Sequence, residues 1–231
     1  MMLMMPACTI KKETETLECT IMIILIGNSK GGTGKTTLTM LMAWYLSSLK
    51  NKNVQVIDMD ERKAISVLAS KDRILENQPL YEVTECRADY FPALLSSLKK
   101  SASALLLIDL PAKVDDEYFV PVLKSADVIL CPFSYDEFTM DATLLFSIVA
   151  SKINPSAKIV FLPNRLKAGV RYELRAEADA VLRAIGPVCP GVPERIDFQR
   201  LTTLYLPESL RSTIEPVLDL LYGLYLFPGG G

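Results

Sequence analysis

The chain has 231 residues, of which 50% are apolar, 23% charged and 8% aromatic, the profile of a globular protein rather than a disordered or fibrous one. At this length roughly 70% of the unfolded surface can be buried, so a full core forms without disulfide or metal staples. A formal charge of −2 excludes a uniformly basic nucleic-acid coat while leaving room for a local basic face, and the absence of histidine excludes HExxH zinc sites, His-based triads and histidine acid–base catalysis.

Residues 1–20 have no basic leader and no sustained apolar stretch, so they are not a secretory signal. They are expected to form a poorly ordered extension ahead of a single domain spanning 21–231. Met22 is an alternative start, because a strand beginning there is complete without anything upstream. The five cysteines (Cys8, Cys19, Cys86, Cys131, Cys189) are widely spaced and never in a CxxC arrangement, which reads as reduced thiols rather than a disulfide framework or metal knuckle. No segment reaches the roughly 18 uninterrupted apolar residues of a membrane span, and the expected location is the cytoplasm.

From residue 21 onward short apolar runs alternate with helical patterns, the mark of βαβ units on a parallel sheet. Strands are predicted at Ile21–Ile26, Val54–Asp58, Pro79–Val83, Ala104–Asp109, Asp127–Pro132 and Lys158–Leu162, with a weak one near Pro187–Pro190. Most are apolar on consecutive positions, as in strands covered on both faces. Helices are predicted at about 35–50, 61–76, 90–100, 115–124, 139–152, 170–184 and 212–226. Right-handed crossovers then give an α/β three-layer sandwich with a mostly parallel central sheet.

The first strand runs into ILIGNSKGGTGKTTL, where a glycine-rich turn opens a helix at Lys35. Such a turn lets backbone N–H groups wrap the β- and γ-phosphates, and the helix N-terminus adds further donors. Lys35 bridges the phosphates as a point charge, and the Thr36 hydroxyl is a ligand for Mg²⁺ that otherwise keeps its waters. The standard form GxxxxGK[ST] asks for glycine where Ser29 stands, and a second lysine, Lys30, heads the loop. The second strand ends NVQVIDMDER, with Asp58 and Asp60 on one side of the strand beside the edge where open parallel sheets bind ligands. One carboxylate serves Mg²⁺-bound water and the other orients an attacking water. ALLLIDLPA closes a further apolar strand on Asp109, the pattern of a carboxylate that reaches Mg²⁺ through water.

KGGTGKTT resembles the deviant Walker A motif of the ParA/MinD family of P-loop ATPases. The resemblance implies an ATP- and Mg²⁺-dependent homodimer in which Lys30 reaches the partner's phosphates, supplying what an arginine finger supplies elsewhere. It implies nucleotide binding by Lys30, Gly31, Gly32, Thr33, Gly34, Lys35, Thr36 and Thr37, and metal binding through Thr36, Asp58 and Asp109. Asp60 matches the residue that positions the nucleophilic water, although Glu61 and Arg62 follow where the family has Pro-Gln. Catalysis then rests on Lys30, Lys35 and Asp60. Residues 109–116 are expected to act as a nucleotide-sensing switch. Asn164, after the sixth strand, matches an asparagine that hydrogen-bonds adenine.

The family also implies non-specific DNA binding on the C-terminal half, for which Arg165, Lys167, Arg171, Arg175, Arg195, Arg200 and Arg211 are candidates. It implies a stimulating ParB-like or adaptor protein, and a nucleoid-associated partition or positioning role with a plasmid, chromosome or protein cargo. Asp141 is expected to be a structural carboxylate at the start of the fifth helix. The alternatives are a MinD-like membrane-cycling ATPase and an Mrp-like carrier. The first is disfavoured because Glu215 and Asp219 stand where a membrane-seeking helix carries basic residues, and the second because it needs paired cysteines.

Overall fold

The computed structural model describes residues 21–74, 78–99 and 105–228; the expected extension over residues 1–20 lies outside them. Six strands, β1 (Met22–Ile26), β2 (Val54–Asp58), β3 (Glu82–Glu85), β4 (Leu105–Asp109), β5 (Val128–Phe133) and β6 (Lys158–Pro163), form one sheet in the order β3-β2-β4-β1-β5-β6. Every pairing is parallel. Among the described residues seven α-helices cover it: α1 (Lys35–Ser48), α2 (Ala64–Ile74), α3 (Phe91–Leu98), α4 (Phe119–Ser125), α5 (Glu137–Ile153), α6 (Arg175–Arg183) and α7 (Glu208–Leu221).

The consecutive apolar residues of the strands are divided between two cores by the twofold alternation of a strand. Ile24, Ile26, Val56, Leu107, Leu130 and Leu162 face the layer of α1, α2 and α7. Ile23, Leu25, Ile57, Leu106, Ile108, Ile129 and Phe161 face the layer of α3 to α6. Helix α1 is buried nearly all round, from Leu38 to Leu46, because it lies between the sheet and α7; a helix apolar on every side requires such a place.

Two predicted strands moved. The third is Glu82–Glu85 rather than Pro79–Val83, since its partner register runs Gln55↔Glu82 to Asp58↔Glu85; it is a half-exposed edge strand, so its charged residues hid it from a search for apolar runs. The weak run near Pro187–Pro190 makes only an isolated bridge from Val188 to Phe161. Pro187 and Pro190 have no N–H to donate, so the ladder stops there. The segment still follows the exposed edge of β6, through Phe161 N–H to Pro187 O and Val192 N–H to Pro163 O, and carries residues 192–199 back over the C-terminal edge of the sheet. Asp136, not Asp141, caps α5 by accepting from the Thr139 N–H at 2.9 Å. The helix begins four residues before Asp141, beyond the reach of a cap.

Helix α7 begins four residues earlier than predicted and continues through a π-helical turn at Tyr222–Leu226. Its apolar face, Leu210, Ile214, Val217, Leu218 and Leu221, is consumed in the core. Its polar face is tied to α1: the buried Tyr45 hydroxyl donates to Asp219, and the Lys50 ammonium lies 2.9 Å from the same oxygen. These bonds hold the Asp219 carboxyl below its usual range, and burial, with Asp219 beside it, pushes the Tyr45 phenol up to about 12. No helix among the described residues is long and apolar enough to cross a membrane. Asp219→Ala strips a buried hydroxyl of its acceptor and should lower the unfolding free energy by about 1–3 kcal/mol, read from a denaturant titration; an unchanged midpoint would show that α7 is held by its apolar face alone.

Candidate nucleotide-binding site

In the sheet order, β1 lies between β4 and β5, and the succession of strands changes sides there, with β2, β3 and β4 on one flank and β5 and β6 on the other. The crevice outside such a switch point is where open parallel sheets take ligands, and the turn after β1 opens into it. A cleft of about 900 Å³ occupies that edge. Its walls bring together Gly31, Gly32, Gly34, Lys35, Thr36 and Thr37 from the loop, Asp60 to Arg62 after β2, Pro111 to Lys113 after β4, Asn164 and Arg165 after β6, and residues 192–199.

The loop's shape follows from its residues. Gly34 sits at φ +91° as the cap of α1, and a Cβ there would lie 2.3 Å from the Asn164 amide nitrogen. Only glycine fits on both counts. Helix α1 has no side-chain cap and no acid in its first turn, so its leading N–H groups and dipole are left for an anion. Asn28, missed by the sequence reading, fixes the loop's entry. Its buried amide donates to Pro132 O at 3.0 Å and Thr143 Oγ1 at 2.8 Å, and its oxygen accepts the Lys30 N–H at 3.0 Å. The last bond is an Asx turn, so an asparagine two places before the loop was the available signal. The Ser29 hydroxyl, in place of the expected glycine, donates to Ala142 O at 2.9 Å.

Beneath the loop lie two buried opposite charges. The Lys35 ammonium donates to Lys30 O at 3.1 Å, and burial holds its pKa below the usual lysine value despite Asp109 and Asp60 nearby. Asp109 is fully buried, accepts the Thr36 hydroxyl at 2.8 Å and has Thr39 Oγ1 at 3.2 Å. Burial lifts it to about 7; Asp58 and Asp60 add to the rise and the two threonines oppose it. Hydroxyl and carboxylate together are hard oxygen donors, suited to a Mg²⁺ that keeps several waters. Among the described residues no group of three or more His, Cys, Asp or Glu could hold a metal, so water would complete such a shell.

Asp58 and Asn164 are both engaged with the protein's own framework. Asp58 is buried, with Oδ2 accepting both the Ser66 N–H at 3.0 Å and the Ser66 hydroxyl at 2.8 Å, and Oδ1 accepting the Asp60 N–H at 3.3 Å. Three accepted bonds make it an anchor between the end of β2 and the start of α2. The Asn164 amide donates to Thr33 O at 2.8 Å and its oxygen accepts the Arg165 N–H at 2.9 Å, so the side chain expected on adenine also grips the loop. Asp60, half-buried, accepts the Arg62 N–H at 2.9 Å: the turn that the family makes with Pro-Gln closes here on its own carboxylate. Lys30 stands outside the cleft, exposed, with its ammonium 5.9 Å from the centre of the Phe138 ring. Thr33 is buried under the loop. Cys131 and Cys189 are buried and free.

Because the folded state holds the Asp109 proton up to about pH 7 while an unfolded aspartate releases it near pH 4, this group's share of stability falls as pH rises between those values. Metal-free protein should therefore melt lower at pH 8 than at pH 5, and Asp109→Asn should flatten that part of the profile; an unaltered pH slope in a melting series would remove Asp109 as its source.

A search of curated proteins finds no match to this chain. Solved structures share its fold. A putative plasmid partition protein of Borrelia burgdorferi bound to AMPPNP aligns with a TM-score of 0.69 at 20% identity, covering 87% of this chain and 97% of that one. Apo McdA of Cyanothece gives 0.64 at 15% identity over 87% and 100%, and the cell division ATPase MinD of Pyrococcus furiosus 0.66 at 20% over 87% and 98%. The family model described as the CobQ/CobB/MinD/ParA nucleotide binding domain matches residues 24–204, a span that contains the loop, Asp60, Asp109 and Asn164, and the chain belongs to that family.

Proposed function

We propose that this protein is a ParA-type ATPase, which binds Mg²⁺·ATP in the cleft, dimerises in consequence, and positions a plasmid, chromosome or protein cargo on DNA. The observation that carries the reading is the seating of Lys35 and the Thr36–Asp109 pair directly beneath a glycine loop at an uncapped helix N-terminus. Backbone amides of Gly31 to Thr37 surround the phosphates, and Lys35 neutralises the β- and γ-oxygens. Mg²⁺, held by Thr36 and through water by Asp109, supplies further charge neutralisation when bound. Asp60, which lines the same cleft, orients the attacking water in line with the γ-phosphate. Pro111 to Lys113 border the same space and serve as the switch that senses the γ-phosphate.

Lys30 serves the partner subunit. Its ammonium lies over the exposed Phe138 ring, where a second chain approaching the loop would meet it. DNA binding draws on Lys167, Arg171, Arg175, Arg195 and Arg200, all exposed. Two earlier candidates leave that set: Arg165 is bound to the loop and Glu194, and Arg211 lies against Glu208 and over the Trp44 ring. A ParB-like or adaptor protein stimulates turnover in this scheme. Location at the nucleoid follows from DNA binding.

Lys30→Ala should bind nucleotide as a monomer and neither dimerise nor hydrolyse it, measured by light scattering with and without Mg²⁺·ATP; normal turnover by the variant would remove the cross-subunit lysine from the mechanism. With a slowly hydrolysed ATP analogue the unmodified protein should retain random-sequence duplex DNA, with retention falling steeply on adding salt. No retention at low salt would refute the DNA role and leave the ATPase standing.

A further inference from the structure

A phosphate-binding loop works only if its N–H groups converge on the anion, and a peptide plane that turns its N–H one way turns the preceding C=O the other. In this loop three carbonyls are held by side-chain donors: Lys30 O by Lys35 at 3.1 Å, Gly32 O by Arg165 Nη1 at 2.9 Å and Thr33 O by Asn164 at 2.8 Å. The bond on Gly32 O fixes the plane that carries the Thr33 N–H, and the bond on Thr33 O fixes the plane that carries the Gly34 N–H. Both planes border a glycine at positive φ, +80° for Gly32 and +91° for Gly34, so on its glycine side each plane has no Cβ to restrain it; on the other side stands Thr33, whose hydroxyl lies 3.4 Å from Lys30 O.

The two outer donors are consecutive residues at the exit of β6. Arg165 has φ +58°, a left-handed conformation uncommon for a residue with a Cβ, and the Arg165 N–H donates to the Asn164 side chain. That turn lands both side chains on the loop. Glu194 aims the guanidinium, since its Oε1 accepts Nε at 3.2 Å and Nη2 at 2.9 Å, leaving Nη1 for Gly32 O. The Glu194 N–H in turn donates to Leu166 O and the Leu166 N–H to Val192 O, so Glu194 is itself held by backbone bonds beside Arg165. A planar fork fixed on one edge by a carboxylate directs its remaining N–H with little freedom.

We infer that Arg165, oriented by Glu194, is a positioning residue for the triphosphate: it holds the Gly32–Thr33 peptide so that the Thr33 N–H faces the phosphates before ligand arrives. The inference rests on the proposed nucleotide site and adds to it a donor that touches the loop and not the nucleotide. Pre-orientation lowers the ordering cost of binding, and the benefit is the same in the ground and transition states. Loss of Arg165 therefore raises KM and spares kcat.

The test titrates AMPPNP with Mg²⁺, and separately inorganic tripolyphosphate in competition with a fluorescent nucleotide, against unmodified protein, Arg165→Ala, Arg165→Lys, Glu194→Gln and the Arg165→Ala/Glu194→Gln double variant. Arg165→Ala should weaken both ligands about tenfold, the scale of one charge-assisted hydrogen bond. Glu194→Gln should weaken both by less, the double variant should be no worse than Arg165→Ala, and Arg165→Lys should recover part of the loss. Unchanged affinity in Arg165→Ala, or a loss confined to AMPPNP with tripolyphosphate binding intact, overturns the inference; the second result would place Arg165 on the base side of the cleft. If Arg165→Ala fails to fold, Glu194→Gln decides on the same two ligands. Binding of neither ligand by the unmodified protein is a different failure, that of the nucleotide site itself.

Discussion

The site is organised around two opposite charges kept from water: the Lys35 ammonium under the loop and the Asp109 carboxylate beneath Thr36. Each is desolvated enough to shift toward its neutral form, Lys35 downward and Asp109 upward. Buried charge is costly unless matched by a partner, and here the match is incomplete: Lys35 is bonded to a backbone carbonyl, and Asp109 to hydroxyls. An entering triphosphate offers Lys35 the anion it lacks, and a divalent cation would do the same for Asp109. The protein holds its charges in a state that ligand completes.

That arrangement depends on the loop being held from behind. Asn28 secures its entry to β5 and α5, and Asn164 with Arg165 secures its middle to the end of β6. Both anchoring strands lie on one side of β1 in the sheet order, while Asp60 and Asp109 come from strands on the other. The cleft therefore lies across the switch point, with the loop's supports on one flank and the carboxylates on the other. Asp58 connects the carboxylate flank to α2 through Ser66, so a displacement after β2 would be felt at the start of that helix.

The docked C-terminal helix bears on which relatives this chain behaves like. Its apolar stripe lies in the core and its Asp219 is engaged with Tyr45 and Lys50, so membrane attachment through this helix would require breaking both. Aromatic rings extend the same contact, with Lys50 over Tyr45 and Tyr222 and Lys52 over Phe227. The acidic character read from Glu215 and Asp219 thus has a structural origin: Asp219 serves α1, while Glu215 lies near Arg211.

Local sequence determined what depends on local chemistry. Consecutive apolar residues bounded by polar ones marked five of the six strands, because a strand buried on both faces has no polar alternation to conceal it. The order glycine loop, lysine, threonine, helix marked the candidate site, since no ordinary turn needs it, and Asp109 stood out as a charge ending an apolar run. Edge strand β3 escaped because half-exposed residues look like loop. The partners of Asn164 and Arg165 escaped for a different reason: Asn164 meets Thr33 across 131 positions of chain, and Arg165 meets Gly32 across 133. A carboxylate or amide declares in sequence only that it can bond; whether it faces ligand or backbone is decided when the sheet brings distant strand ends to one edge and neighbouring donors fill its lone pairs first.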